Sequence, residues 1–98
     1  MIQNRVLNNI IYRRNIDKDV WIRKVRWFGF DDVCDAIESW NILDDIKHPN
    51  QEKYKHQYKL IVKLNNYARD VPYIKECDTI YLFKTAMPSR KSTKQYIL

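Results

Sequence analysis

The sequence predicts an α+β domain, with a small antiparallel sheet packed against two or more helices. Three observations carry this. Residues 5–13 and 20–28 are rich in β-branched and aromatic side chains and flank a polar segment. Val33, Ala36, Ile37 and Trp40 recur at helical spacing. The chain has 98 residues, 45% of them hydrophobic and 13% aromatic, enough for one modest core and too apolar for a disordered tail. Residues 1–98 are therefore read as a single domain.

In chain order, residues 5–13 read as the first strand, and Asn15, Asp17 and Asp19 supply turn chemistry. Residues 20–28 read as the second strand. Val25 and Trp27 face one way and Lys24 and Arg26 the other, although Ile22 and Arg23 break the alternation. The pair forms an expected β-hairpin. A helix follows, capped by Asp31 or Asp32, whose charge suits the positive end of the dipole. Residues 42–46 read as a short helical turn, closed by Pro49 and Asn50. Residues 51–68 admit two readings. A helix would align Lys55, Lys59 and Lys63 in one stripe. A strand near residues 58–64 would turn Tyr58, Leu60, Val62 and Leu64 inward and Lys59 and Lys63 outward. The strand is preferred, and residues 65–70 then turn into a further extended segment at 71–75. Asp78 is expected to cap a helix over residues 79–86, and Pro88 stands where another could open. Residues 89–97 read as helical, anchored by Tyr96 and Ile97.

Charge is distributed unevenly. Residues 1–50 carry eight Lys/Arg and eight Asp/Glu, whereas residues 51–98 carry ten and four, so the whole formal charge of +6 lies in the second half. Two stretches hold no acid: residues 53–69, with Lys53, Lys55, Lys59, Lys63 and Arg69, and residues 79–98, with Lys84, Arg90, Lys91 and Lys94. Such asymmetry suits a polyanion binder. The alternative is a solvated basic surface. Phosphate recognition combines cations with small hydroxyl donors, and Ser89, Arg90, Lys91, Ser92, Thr93 and Lys94 offer both directly after Pro88. A helix opened by Pro88 would add its N–H groups to a phosphate. The candidate DNA-contacting residues are Lys84, Ser89, Arg90, Lys91, Thr93 and Lys94, with Lys55, Lys59 and Lys63 as a second group.

Other chemistries find little purchase. No nucleophile elbow, His-Glu-x-x-His helix or Walker loop is present, and the single glycine leaves no phosphate-cradling loop. Cys34, His48, His56 and Cys77 lack the paired spacing of a zinc site, so no metal or other cofactor is expected, and the cysteines read as reduced thiols of an intracellular protein. Asp31/Asp32 and Asp44/Asp45 suit a cap and a surface turn better than a nuclease metal site. No stretch is long and apolar enough for a membrane span, and Met1 to Arg5 do not open a signal peptide. Trp21, Trp27, Phe28 and Trp40 lie in apolar runs, where core packing is expected. Exposure of Tyr12, Tyr54, Tyr67 or Tyr73 would permit single-strand stacking.

The run from Val20, Trp21 and Ile22 through Trp27, Phe28, Gly29, Phe30, Asp31, Asp32, Val33, Cys34, Asp35, Ala36 and Ile37 resembles the opening of the Bro-N domain. That domain is the N-terminal module of baculovirus repeated-ORF proteins and of many phage antirepressors. A second block, Tyr73 to Glu76, then Ile80 to Phe83, then Ser89 to Ile97, is similar to the family's closing pattern. The chain departs from the pattern at Ser39-Trp40-Asn41, Thr79, Thr93 and Tyr96-Ile97. The resemblance implies an α+β domain of viral origin, in the host nucleus or cytoplasm, that binds DNA, more readily double-stranded than single-stranded. It implies no catalytic residue and no enzyme. The other class left open is a viral module that binds a protein partner and has no nucleic-acid role.

Overall fold

Asn8 and Asn9 both take up left-handed backbone, with φ of 52° and 67°. A two-residue hairpin turn of type I′ needs that conformation at both central positions, and asparagine tolerates it better than most residues. In the computed structural model, which describes residues 1–98, the turn of the first hairpin therefore lies inside residues 5–13, the stretch expected to be one strand. Its strands β1 (Ile2–Leu7) and β2 (Ile10–Asn15) pair antiparallel.

The second strand expected at residues 20–28 is instead helix α1 (Ile16–Arg26), and the expected hairpin of residues 5–13 with 20–28 does not form. Asn15 is the N-cap, its side-chain oxygen accepting the Lys18 N–H at 3.1 Å. Asp17 and Asp19 sit in the first turn and Arg23, Lys24 and Arg26 in the last, matching the dipole. These local signals outweigh an alternation that Ile22 and Arg23 already break. Helix α2 (Phe30–Glu38) follows, as expected, but Gly29 is its N-cap. Asp32, three residues on, accepts the Gly29 N–H at 2.7 Å, closing half of a capping box. Asp19 of α1 accepts the Phe30 N–H at 2.7 Å and so ties the two helices together. Val33, Ala36 and Ile37 are buried, whereas Trp40 is 84% exposed. The helix ends at Glu38, and Trp40 takes a left-handed φ of 62°, leaving the stripe it was expected to share.

Residues 42–47 form strand β3 (Ile42–Lys47), where a helical turn was expected. Strand β4 (Gln57–Leu64) takes the strand reading of the ambiguous segment, with Leu60 and Val62 buried in the core. Asn65 and Asn66 repeat the device of the first turn, with φ of 52° and 62°, and lead into β5 (Tyr67–Cys77). The helix expected over residues 79–86 is instead β6 (Ile80–Phe83), with Asp78 in the exposed turn before it. Its four residues pair with β5 on one side and β2 on the other, and this supplies their backbone bonds. Pro88 lies in the two-residue strand β7 (Met87–Pro88), not at a helix start, and α3 (Arg90–Tyr96) is capped by Ser89.

One seven-stranded sheet therefore spans the whole chain, in the order β1-β2-β6-β5-β4-β3, with β7 also pairing to β5. Only β2 and β6 pair parallel. The sheet is larger than expected and draws on both halves of the sequence. One face packs on α1 and α2. Its core holds Tyr12, Phe83, Tyr73, Val71, Leu60 and Val62 from the sheet with Ile22, Phe30, Val33 and Ile37 from the helices. Phe30 stacks on Phe83 (centroids 5.4 Å), and Phe83 on Tyr12 (5.4 Å). The opposite face carries α3 over β5. No helix is long and apolar enough to cross a membrane.

The two cap assignments separate in a measurement. Ser89→Ala should lower stability by about 1 kcal/mol, because the Ser89 oxygen accepts the Ser92 N–H at 3.0 Å. Asp78→Ala should leave the melting temperature unchanged, since Asp78 is an exposed turn residue. Thermal melts that show the reverse order would restore a helix after Asp78. The cysteines also differ. Cys34 is buried, and burial pushes its thiol pKa up to about 11, whereas Cys77 is exposed and its hydrogen bond with Thr79 lowers its pKa. A thiol reagent at neutral pH should therefore modify Cys77 quickly and Cys34 only after unfolding. Equal rates in the folded protein would contradict the burial of α2.

Candidate nucleic-acid interface

Helix α3 is mounted on the sheet by its hydroxyl side chains. Ser92 Oγ donates to Asp70 Oδ1 at 2.7 Å. Thr93 Oγ1 donates to the Ser89 carbonyl at 2.7 Å and accepts the Ala68 N–H at 2.9 Å. Both residues are buried. The Tyr96 hydroxyl donates to Asp44, which holds that carboxyl below its usual range. Ala68 lies opposite Lys63 and Asp70 opposite Ile61, so all of these contacts are on the sheet face turned away from the core.

This mounting decides what the tail can offer. Thr93 and Ser92, expected as hydroxyl donors to phosphate, instead hold the helix down. The Ser89 hydroxyl is engaged as the cap. The Ser92 and Thr93 N–H groups already have acceptors, Ser89 Oγ and the Ser89 carbonyl, so they are not open to a phosphate. Arg90, Lys91 and Lys94 point the other way. All three are exposed, and no carboxylate pairs with them.

The register adds two cations of the second group to the same face. Lys59 and Lys63 alternate with the core residues Leu60 and Val62 along β4, so they project on the α3 side. Lys63 is half-buried and has no acidic partner, whereas Lys59 lies 3.5 Å from Asp70 and is partly neutralised. Lys84 follows β6 and Lys55 lies in the turn before β4; both are exposed, and no hydrogen bond or ion pair joins either to α3. The nine sequence candidates thus divide into a clustered set, Arg90, Lys91, Lys94, Lys63 and Lys59, two outlying lysines, and two side chains spent on structure.

The acids lie chiefly elsewhere. On the core side, Arg14 meets Asp31 at 2.6 Å, Arg23 meets it at 3.1 Å, and Arg5 reaches Asp35 at 2.8 Å and Glu38 at 3.2 Å. Arg14, chiefly by its hydrogen bond, holds the Asp31 carboxyl below its usual range. Arg13 pairs with Glu76 at 3.1 Å. Four of the five arginines of the first half are thus absorbed by acids of the first half and by Glu76, while Arg26 donates to the Ala86 carbonyl, and this leaves the outer face of α3 uncompensated.

The indoles, expected in the core, lie outside it. Trp27 is 91% exposed and Trp21 43% exposed. Trp27 is the C-cap of α1 in left-handed backbone (φ 65°), which turns its side chain off the helix. Trp21 carries Lys18 Nζ 4.7 Å and Arg26 4.9 Å from its ring centroid. Reading residues 16–26 as a helix centred on Ile22 would have placed Val20 and Trp21 off the buried stripe. Of the tyrosines left open, Tyr12 and Tyr73 are buried, and Tyr54 and Tyr67 are half-buried. Asp70, the residue on which α3 is mounted, gave no signal in the sequence.

An open cavity of about 270 Å³ lies at the β3–β4 end, lined by Lys47, His48, Tyr58 and Lys59 among others. No three His, Cys, Asp or Glu side chains come together as a metal site. Comparison with protein-family models, with curated proteins and with solved structures finds no match to this chain.

Proposed function

We propose that the domain binds duplex DNA, largely through phosphate contacts, and serves in the regulation of viral or host genes, as its resemblance to the Bro-N domain implies. One observation carries the reading. The outer face of α3 presents Arg90, Lys91 and Lys94 with no acidic partner, next to a strand that adds Lys63. Hydroxyl and carboxylate groups are turned under the helix, so the surface left to a ligand is cationic. Phosphates are the chemistry such a surface suits, and it favours no particular base sequence.

Binding of a random-sequence duplex at two salt concentrations tests this. Phosphate-driven binding weakens steeply with salt, with dissociation constants of about 10⁻⁴–10⁻⁶ M for the non-specific mode. Absence of binding at low salt, or affinity that is indifferent to salt, would overturn it. The second reading, a protein-interaction module, draws on a different surface, where Val20, Trp21, Val25 and Trp27 are exposed along and just beyond α1.

A further inference from the structure

We infer that β1 is the edge through which two copies of this chain join into a dimer with one continuous sheet. The inference stands apart from DNA binding. It starts from the contrast between the two ends of the sheet. Strand β3 is blunted: it carries Asp44 and Asp45, its register shifts between Ile42 and Asp44, and the Asp44 carboxylate takes the Asp45 N–H at 2.8 Å. Strand β1 has none of these devices. It holds no proline and no register shift, and its one charge, Arg5, is folded back onto Asp35 and Glu38 of α2.

The backbone groups β1 offers follow from its alternation. The Met1 carbonyl accepts the Ile16 N–H at 3.0 Å, on the β2 side. Residues two apart point the same way, so Gln3, Arg5 and Leu7 turn their backbone groups to β2. Ile2, Asn4 and Val6 turn theirs outward. These same three side chains lie on the sheet face away from the core, because Val6 pairs with Ile11 and Asn4 with Arg13. Helix α3 covers the far end of that face and leaves this end bare, with Ile2 42% and Val6 62% exposed.

A second copy of β1 complements this edge in one antiparallel register. With the two-fold axis at Asn4, Ile2 of each copy faces Val6 of the other, and Asn4 faces its own equivalent. Ile2, Asn4 and Val6 then all exchange backbone hydrogen bonds, and two apolar pairs close over the bare face. On the core side Gln3 faces Arg5, with no like charges opposed. Moving the axis to Arg5 would set two arginines against each other, and moving it to Gln3 would shorten the pairing.

Sedimentation equilibrium tests the register as well as the assembly. The parent should approach twice its 12.0 kDa mass as concentration rises. Val6→Lys should be monomeric, and its melting temperature should match that of the parent at dilutions where the parent too is monomeric, since Val6 is an exposed side chain. Adding Ile2→Glu to that variant should restore the dimer, because the introduced carboxylate of each copy then meets the introduced ammonium of the other. Within one copy the two positions lie about 13 Å apart, too far for the same contact. A parent that stays monomeric at millimolar concentration would overturn the inference. So would a dimer indifferent to Val6→Lys, or a double variant that remains monomeric while folded.

Discussion

Replacement of Phe30 by alanine is expected to destabilise the domain by about 3–5 kcal/mol, the largest loss anticipated for a single side chain here. Phe30 is fully buried at the start of α2 and stacks on Phe83 with centroids 5.4 Å apart. Phe83 in turn stacks on Tyr12. One ring therefore joins α2 to β6 and, through it, to β2. The neighbouring backbone is held too, since Asp19 accepts the Phe30 N–H. The surroundings thus cannot easily collapse into the space left behind. A domain of this size has roughly 5–15 kcal/mol of total stability, so the loss would bring the variant near its unfolding threshold. Urea titration should show a large fall in midpoint with little change in slope. Phe30→Leu should lose clearly less. A loss below about 1 kcal/mol for the alanine variant would mean that α2 is not anchored on the sheet at this point.

Replacing Arg90, Lys91 and Lys94 together by alanine is expected to weaken binding to every duplex tested by a similar factor. If each cation meets one phosphate, the plot of log affinity against log salt should flatten by up to about 3 × 0.9 units. Melting temperature should barely move, because exposed charges without partners contribute little to stability. By contrast, Ser92→Ala or Thr93→Ala should destabilise, since each removes a buried hydrogen bond that mounts α3. That pair of outcomes distinguishes a surface that contacts DNA from a helix that merely needs to be in place. If the triple variant binds as well as the parent, with the same slope, α3 is not the contact. Attention then passes to Lys55, Lys59 and Lys63, of which only Lys59 has an acidic partner.

Some of this protein is legible along the chain because the deciding physics is local. The α+β class and helix α2 follow from residue type and periodicity over a few residues, strand β4 is the preferred of two periodic readings, and the terminal helix is read from the break at Pro88 and the apolar anchor at Tyr96 and Ile97. The concentration of positive charge in the second half is composition alone. Other features escape such a reading because short-range patterns are close to balanced. Residues 20–28 are β-branched and aromatic, yet the Asn15 cap, the charge gradient and the single buried apolar position, Ile22, make residues 16–26 helical. Residues 80–83 form an apolar run whose strand state depends on partners at both edges, and those partners are residues 11–13 and 73–77. Nothing within two residues of Ile80 announces them.

Residue type and neighbours close in the chain are enough to set the class, the basic half and the cationic residues of the last helix. Which of those residues a ligand can reach is settled only in the folded sheet. Ser92 and Thr93 point inward because Asp70 and Ala68 are there to receive them, and Arg90, Lys91 and Lys94 consequently point outward. Lys59 and Lys63 share that face only through the register of β4 with β5, and Lys59 is then partly cancelled by the same Asp70. The physical reason is range. Side-chain exposure and charge compensation are fixed by groups far away along the chain, brought together only when the sheet forms.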